Sequence, residues 1–114
     1  MRQTSTDLWA NLRAVVSDKR PSPAVRIRLL HETLVVVCAE GLKDTHYGFG
    51  DLNSQLESLI RINGIAADEA DALRQARRNS NRSHFVEAGG YTEADLLYDV
   101  AAVARLVSRI FRAD

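Results

Sequence analysis

The chain has 114 residues, of which 46% are hydrophobic and 26% charged, values typical of one folded globular domain. Fifteen lysines and arginines balance fifteen acidic residues, which excludes a protein that coats nucleic acid through a large excess of cations. The single cysteine, Cys38, excludes an internal disulfide and a thiolate zinc cage.

The apolar run at residues 34–39 is the longest in the chain and is far shorter than the roughly 20 residues that span a bilayer. The first seven residues are polar and lack the apolar core of a signal peptide. We therefore expect a cytoplasmic protein that makes no membrane contact. Because Cys38 lies inside the apolar run, we expect a buried thiol rather than a nucleophile.

The first two predicted helices cover residues 6–18 and 23–42. In the first, Leu8, Leu12 and Val15 share one face, and Thr4 and Asp7 could form a capping pair. The second begins at Ser22-Pro23 and closes near Gly41. Its Val35-Val36-Val37 run also fits a strand, but the apolar pattern persists for almost twenty residues, and this length favours the central helix of a bundle.

Three further helices are predicted after a loop at residues 43–50. One covers residues 51–62, capped by Asp51 and ended by Asn63-Gly64, and the next starts near Asp68. The last begins at the capping box of residues 92–95 and extends to about residue 111. The sequence predicts one all-α domain over residues 1–114: an up-and-down bundle of four core helices (23–113) with an additional N-terminal helix (1–20) that could separate at the linker before Pro21.

The sequence contains no pattern of residues typical of a metal or cofactor site. Its three histidines, His31, His46 and His84, lie in separate segments, and His31-Glu32 are adjacent rather than four apart, so no helix presents a ligand pair. We predict no metal site and no cofactor, and we interpret His31 and His46 as structural or surface residues. Gly48-Phe49-Gly50 lacks the Lys-Ser/Thr of a phosphate loop.

Residues 73–85 form the one segment with a pattern suited to chemistry. They contain two asparagines, two serines, a histidine, no acid and four arginines, namely Arg74, Arg77, Arg78 and Arg82. A solvated helix end, where cations oppose the helix dipole, is one interpretation. A small anion-binding site is the other.

The pattern Arg78-Asn79, four residues, then His84 resembles the motif of the HEPN superfamily of helical-bundle domains. It lies between an amphipathic helix and a long final helix opened by residues 92–95, as in that superfamily. Residues 24–34 are similar to the helix that carries an Arg and a Glu in many members, and residues 52–64 resemble the next helix and turn. The similarity covers about residues 24–113.

This resemblance implies a metal-independent endoribonuclease that works as a homodimer. It implies that His84 transfers protons, that Arg78 binds the scissile phosphate and that Asn79 orients the substrate. Histidine titrates near neutral pH, and arginine presents a charged planar fork to phosphate oxygens. Arg77, Arg82 and Arg74 are predicted to bind substrate.

Two alternatives remain open from the sequence. Arg77 also satisfies the loose spacing to His84, and Arg78 is preferred because Asn79 follows it. In function, the chain is either a small RNase, such as a toxin or defence effector with an antitoxin, or a noncatalytic helical module that dimerises and binds nucleic acid or a protein partner.

Overall fold

The computed structural model describes residues 5–81 and 90–111, and every regular element in those ranges is a helix. The predicted all-α bundle is therefore confirmed. The helices, in chain order, are α1 (Ser5–Ser17), α2 (Pro23–Arg26), α3 (Arg28–Leu42), α4 (Leu52–Ile62), α5 (Ala67–Asn81) and α6 (Glu93–Ile110).

Three predicted caps set the starts of these helices. The Ser22 hydroxyl accepts from the backbone N–H of Val25 at 3.3 Å, and the Asp51 carboxylate accepts from that of Ser54 at 2.8 Å. At α6, the side chains of Thr92 and Asp95 accept from each other's backbone N–H at 3.1 and 3.0 Å, which completes a capping box. The predicted cap residue Thr4 lies outside the described residues.

The single helix predicted over residues 23–42 is divided at Ile27 into α2 and α3. Ile27 keeps helical angles (φ −59°, ψ −23°), but its carbonyl accepts from the N–H of Leu30 at 3.0 Å, the three-residue spacing of a tighter turn. The valine run lies within α3, so helix rather than strand is confirmed there.

The helix closes near Gly41, as predicted, since α3 ends at Leu42. A Cβ at this position would lie 2.6 Å from Leu59 Cδ1 on α4. The glycine therefore serves the close approach of two helices. The turn after α4 is made by Gly64, whose φ of +60° favours glycine.

The core surrounds α3, which packs against α1, α4, α5 and α6. Cys38 of α3 is fully buried, as predicted, and burial raises the pKa of its thiol to about 12. Helix α1 contributes Leu8, Leu12 and Val15 to the same core. It is thus packed into the bundle rather than separate from it.

Arg26 joins the ends of two helices from a buried position, since only 3% of it is exposed. Its Nε donates to the carbonyl of Val15 at 2.8 Å, and Nη2 donates to that of Val16 at 3.0 Å. Both carbonyls belong to the last turn of α1, where helices leave acceptors without partners. The same guanidinium forms a bidentate ion pair with Glu93 in the first turn of α6, at 2.6 and 3.0 Å.

Replacing Arg26 by alanine should lower the free energy of unfolding by roughly 3–5 kcal/mol, because it leaves buried partners unsatisfied. Arg28→Ala, an exposed arginine two residues away, is the matched control and should change stability by less than about 0.5 kcal/mol. Urea denaturation measures both. Equal effects of the two substitutions would show that the Arg26 contacts are not essential to the bundle.

Candidate functional site

A cleft of about 470 Å³ opens between α3, the start of α4 and the C-terminal half of α5, a size within the range of small-molecule sites. His31 lines it from α3, Asp51 lines it from the cap of α4, and Arg77 and Asn81 line it from α5. Gln55, also in the wall, donates to the carbonyls of Gly48 and Gly50 at 3.1 Å each. These two bonds hold the loop before α4 in place.

Arg77 and Asn81 share the cleft because they are four residues apart on α5, about one helical turn. The Nε atom of Arg77 is buried and has no hydrogen-bond partner among the described residues. Its guanidinium forms no ion pair within those residues. A buried donor without a partner costs free energy, and a bound anion is one explanation for such a group.

Two other arginines near α5, Arg74 and Arg109, have acidic partners. Arg74 donates to Glu57 at 2.7 and 2.9 Å and to Asp71 at 2.8 Å. Arg109 also has a buried Nε without a partner in the described part of the chain, but its Nη2 pairs with Glu69 at 3.2 Å. Arg77 differs from these two arginines because it forms no ion pair among the described residues.

The charge of Arg77 acts on two carboxylates near the cleft, those of Asp51 and Glu57. Hydrogen bonds from Ser54 are the main cause that lowers the pKa of Asp51, and the charge of Arg77 adds to the effect. The Arg74 hydrogen bond lowers the pKa of Glu57, again with a smaller contribution from Arg77. Arg77 therefore lies close enough to lower the pKa of both carboxylates, although no hydrogen bond joins it to either.

His31 is the histidine that the structure places in the cleft. Its Nδ1 is buried and has no hydrogen-bond partner within residues 5–81 and 90–111. The sequence predicted a structural or surface residue here. Its half-buried position beside Arg77 gives it a second possible role as a donor or acceptor for a ligand.

Arg78 and Asn79, two of the predicted catalytic residues, lie on a different face of α5. Arg78 is exposed and donates to Gln75 Oε1 at 3.1 Å. Asn79 donates to the buried Asp99 of α6 at 2.8 Å. The structure therefore does not bring this pair to the cleft that Arg77 lines.

The remaining predicted residues are distributed as follows. Arg74 does not line the cleft, since its guanidinium is held by Glu57 and Asp71. Arg82 and His84 lie outside the described residues, so their predicted roles stay predictions. Sequence reasoning missed His31 and Asn81. The four-residue spacing from Arg77 could have indicated Asn81. His31 is revealed only by the packing of α3 against α5.

The described residues contain no group of three or more His, Cys, Asp or Glu side chains arranged to hold a metal ion. Among the helices described, none combines the length and hydropathy needed to cross a membrane. Comparison of the chain with protein-family models, with curated proteins and with solved structures finds no match.

Arg77→Met should leave the free energy of unfolding unchanged or raise it, because the substitution removes a buried donor that has no partner in the described structure. Arg74→Met, the matched control one turn earlier, should lower it through loss of contacts to Glu57 and Asp71. Thermal and urea unfolding of both variants test this difference. A larger loss of stability for Arg77→Met would mean that Arg77 is a structural residue.

Proposed function

We propose that the protein is a HEPN-like, metal-independent endoribonuclease in which Arg77 binds the scissile phosphate and His84 transfers protons. The observation that carries the proposal is the placement of Arg77 in the cleft, with a buried Nε that lacks a partner among the described residues. A cation that forms no ion pair with the described residues, in a concave site, suits a phosphate anion.

Cleavage of RNA by its own 2′-hydroxyl needs a base, an acid and a cation. The base takes the 2′-hydroxyl proton as that oxygen attacks phosphorus, and a 2′,3′-cyclic phosphate forms. The P–O5′ bond breaks, and the acid protonates the leaving oxygen. A nearby guanidinium stabilises the charge that develops on the phosphate. This chemistry assigns proton transfer to His84, which follows Arg77 by seven residues.

The geometry favours Arg77 over Arg78 as the phosphate ligand. Arg78 bonds to Gln75 on the outer face of α5, while Arg77 and Asn81 line one cleft. The amide of Asn81, on the last residue of α5, can donate to or accept from substrate oxygens. We therefore assign Asn81 the orienting role that the sequence had suggested for Asn79.

Phe49 supports a single-stranded nucleic-acid substrate. Its side chain is 86% exposed, and it immediately precedes Gly50 and Asp51, which line the cleft. Exposed aromatic rings beside cationic grooves stack on unpaired bases. We assign Phe49 to the nucleotide next to the scissile phosphate, so single-stranded RNA is the expected substrate.

The resemblance extends the proposal to assembly and cellular role. It implies a homodimer that brings two motifs together, acting as a toxin or defence effector with an antitoxin or another protein partner. Light scattering at tens of micromolar tests the dimer. A monomer under those conditions would remove the shared cleft but leave the Arg77 site intact.

The main prediction is cleavage of single-stranded RNA in excess EDTA. His84→Ala should lower the rate at least a hundredfold, because removal of a general acid or base costs about 10²–10⁴. Arg77→Ala should have an effect of similar size, whereas Arg78→Ala should stay within a few-fold of the wild type. His46→Ala, an exposed histidine outside the cleft, is the control.

Other outcomes of this assay separate the alternatives. Wild-type protein that binds RNA but leaves it intact would indicate the noncatalytic module. Cleavage that survives both His84→Ala and Arg77→Ala would show that the site is wrongly placed. Loss on Arg78→Ala with full activity of Arg77→Ala would return the phosphate-binding role to Arg78.

Phe49→Ala should raise KM about tenfold and leave kcat within about threefold, because base stacking contributes to binding rather than to the chemical step. The control is Leu97→Ala, which removes another exposed apolar side chain from a helix that does not line the cleft. Steady-state kinetics on a short fluorescent single-stranded RNA provide the measurement. An unchanged KM would exclude stacking at Phe49.

A further inference from the structure

Two buried polar atoms without a hydrogen-bond partner belong to side chains of the same cleft. In residues 5–81 and 90–111, three side-chain nitrogen or oxygen atoms are buried and unpartnered, namely His31 Nδ1, Arg77 Nε and Arg109 Nε. His31 and Arg77 line one cleft, whereas Arg109 lines another cavity and is ion-paired. Buried polar atoms in folded proteins nearly always have a partner. A ligand that satisfies both nitrogens accounts for their presence on one cleft.

The packing of α3 holds His31 at the cleft. Leu30 and Leu34, one residue before it and three residues after it, are fully buried in the core. Val35, one turn after His31, lines the same cleft, as the four-residue spacing predicts. Helix α3 packs against α5, which carries Arg77. The core therefore presents one nitrogen from each of two helices to a single cavity.

The chemistry of the two side chains limits the kind of ligand. Arginine only donates hydrogen bonds, and histidine donates from whichever ring nitrogen carries its proton. Among the described residues, no hydrogen bond joins His31 to Arg77. The carboxylate in the cleft wall, that of Asp51, accepts from the backbone N–H of Ser54 at 2.8 Å. A phosphate group has several charged acceptor oxygens, so one phosphate can accept from both nitrogens.

We propose that His31 is a second ligand of the scissile phosphate, and that this phosphate accepts hydrogen bonds from His31 Nδ1 and from Arg77 together. The inference rests on the proposed function, which supplies the RNA, and it adds a contact that the function did not assign. His31 keeps its proton in this contact and transfers none to the substrate. Donors from two helices restrict the orientation of the phosphate more than one donor does.

Three substitutions test which atom of His31 makes the contact. The amide nitrogen of asparagine is two bonds from Cβ, as Nδ1 is, while that of glutamine is one bond further away. His31→Leu and His31→Gln should weaken binding of a short single-stranded 2′-O-methyl RNA at least about tenfold, because a hydrogen bond to a charged group is lost. His31→Asn should bind within about threefold of the wild type, because it keeps a donor in place. Fluorescence anisotropy in excess EDTA measures the dissociation constants.

His46→Leu is the matched control, since His46 is exposed and is not among the residues that line the cleft. It should bind within about twofold of the wild type, as expected for an isolated surface position. Circular dichroism establishes that each variant is folded. The comparison of His31→Asn with His31→Gln serves as the test where His31→Leu fails to fold. Equal binding by these two amide variants would overturn the proposal.

A double variant tests whether His31 and Arg77 bind the same phosphate. If they do, loss of Arg77 should remove most of the effect of losing His31. In an Arg77→Met background, His31→Leu should therefore weaken binding by less than about threefold. An effect in that background as large as in the wild type would place His31 on another part of the RNA and contradict the proposal.

Cleavage of unmodified RNA separates this inference from the proposed function. Protein that shows this pattern of binding but cleaves no RNA retains the His31 contact and rejects the ribonuclease. Cleavage that requires Arg77, together with binding that His31→Leu leaves unchanged, rejects the contact and retains the ribonuclease. Normal binding by His31→Asn with a loss of cleavage of about a hundredfold would assign proton transfer to His31 and so reject its role as a ligand alone.

Discussion

The buried guanidinium of Arg26 is the contact on which the arrangement of the bundle depends. It satisfies two carbonyls at the end of α1 and pairs with Glu93 at the start of α6, so one side chain fixes both the N-terminal helix and the final helix. Helix α6 also carries Asp99, which accepts a hydrogen bond from Asn79 of α5. Removing such a group leaves several buried partners unsatisfied at once, which is far more costly than loss of a surface ion pair.

The arginines of the chain can be separated by whether a carboxylate neutralises them. Arg26, Arg74 and Arg109 each pair with an acid from another helix. Arg77 lines a cleft without such a partner in the described residues. The overall neutrality of the chain therefore conceals a local difference within the described residues: Arg26, Arg74 and Arg109 are paired across helices, whereas Arg77 has no ion pair in the cleft that it lines. A single phosphate matches that scale, whereas a long nucleic acid would need many such contacts.

The helices could be predicted from sequence because caps and apolar spacing are local. The Thr92–Asp95 capping box, the Asp51 cap and the central apolar helix all appear in the structure. Local signals did not show that Ile27 divides a helix, because this division depends on a tighter turn. They did not show that Gly41 accommodates Leu59, because Leu59 belongs to a neighbouring helix.

The prediction of the site from sequence had the same limit. The sequence identified the arginine-rich segment, but the faces of α5 that hold Arg77 and Arg78 are distinguished only by packing against α3 and α6, and the place of His84 is still a prediction.

Binding of an RNA phosphate by Arg77 is tested most directly by the NMR signal of the Arg77 Nε–H group. This atom is buried, so its proton should exchange slowly enough to be observed. The Arg77 signal is identified by its absence from the spectrum of the Arg77→Lys variant. Addition of 2′-O-methyl RNA, which lacks the attacking hydroxyl, in EDTA should shift this signal together with the ring signals of His31. Saturating binding that leaves the Arg77 signal unchanged and shifts that of Arg78 would contradict the account.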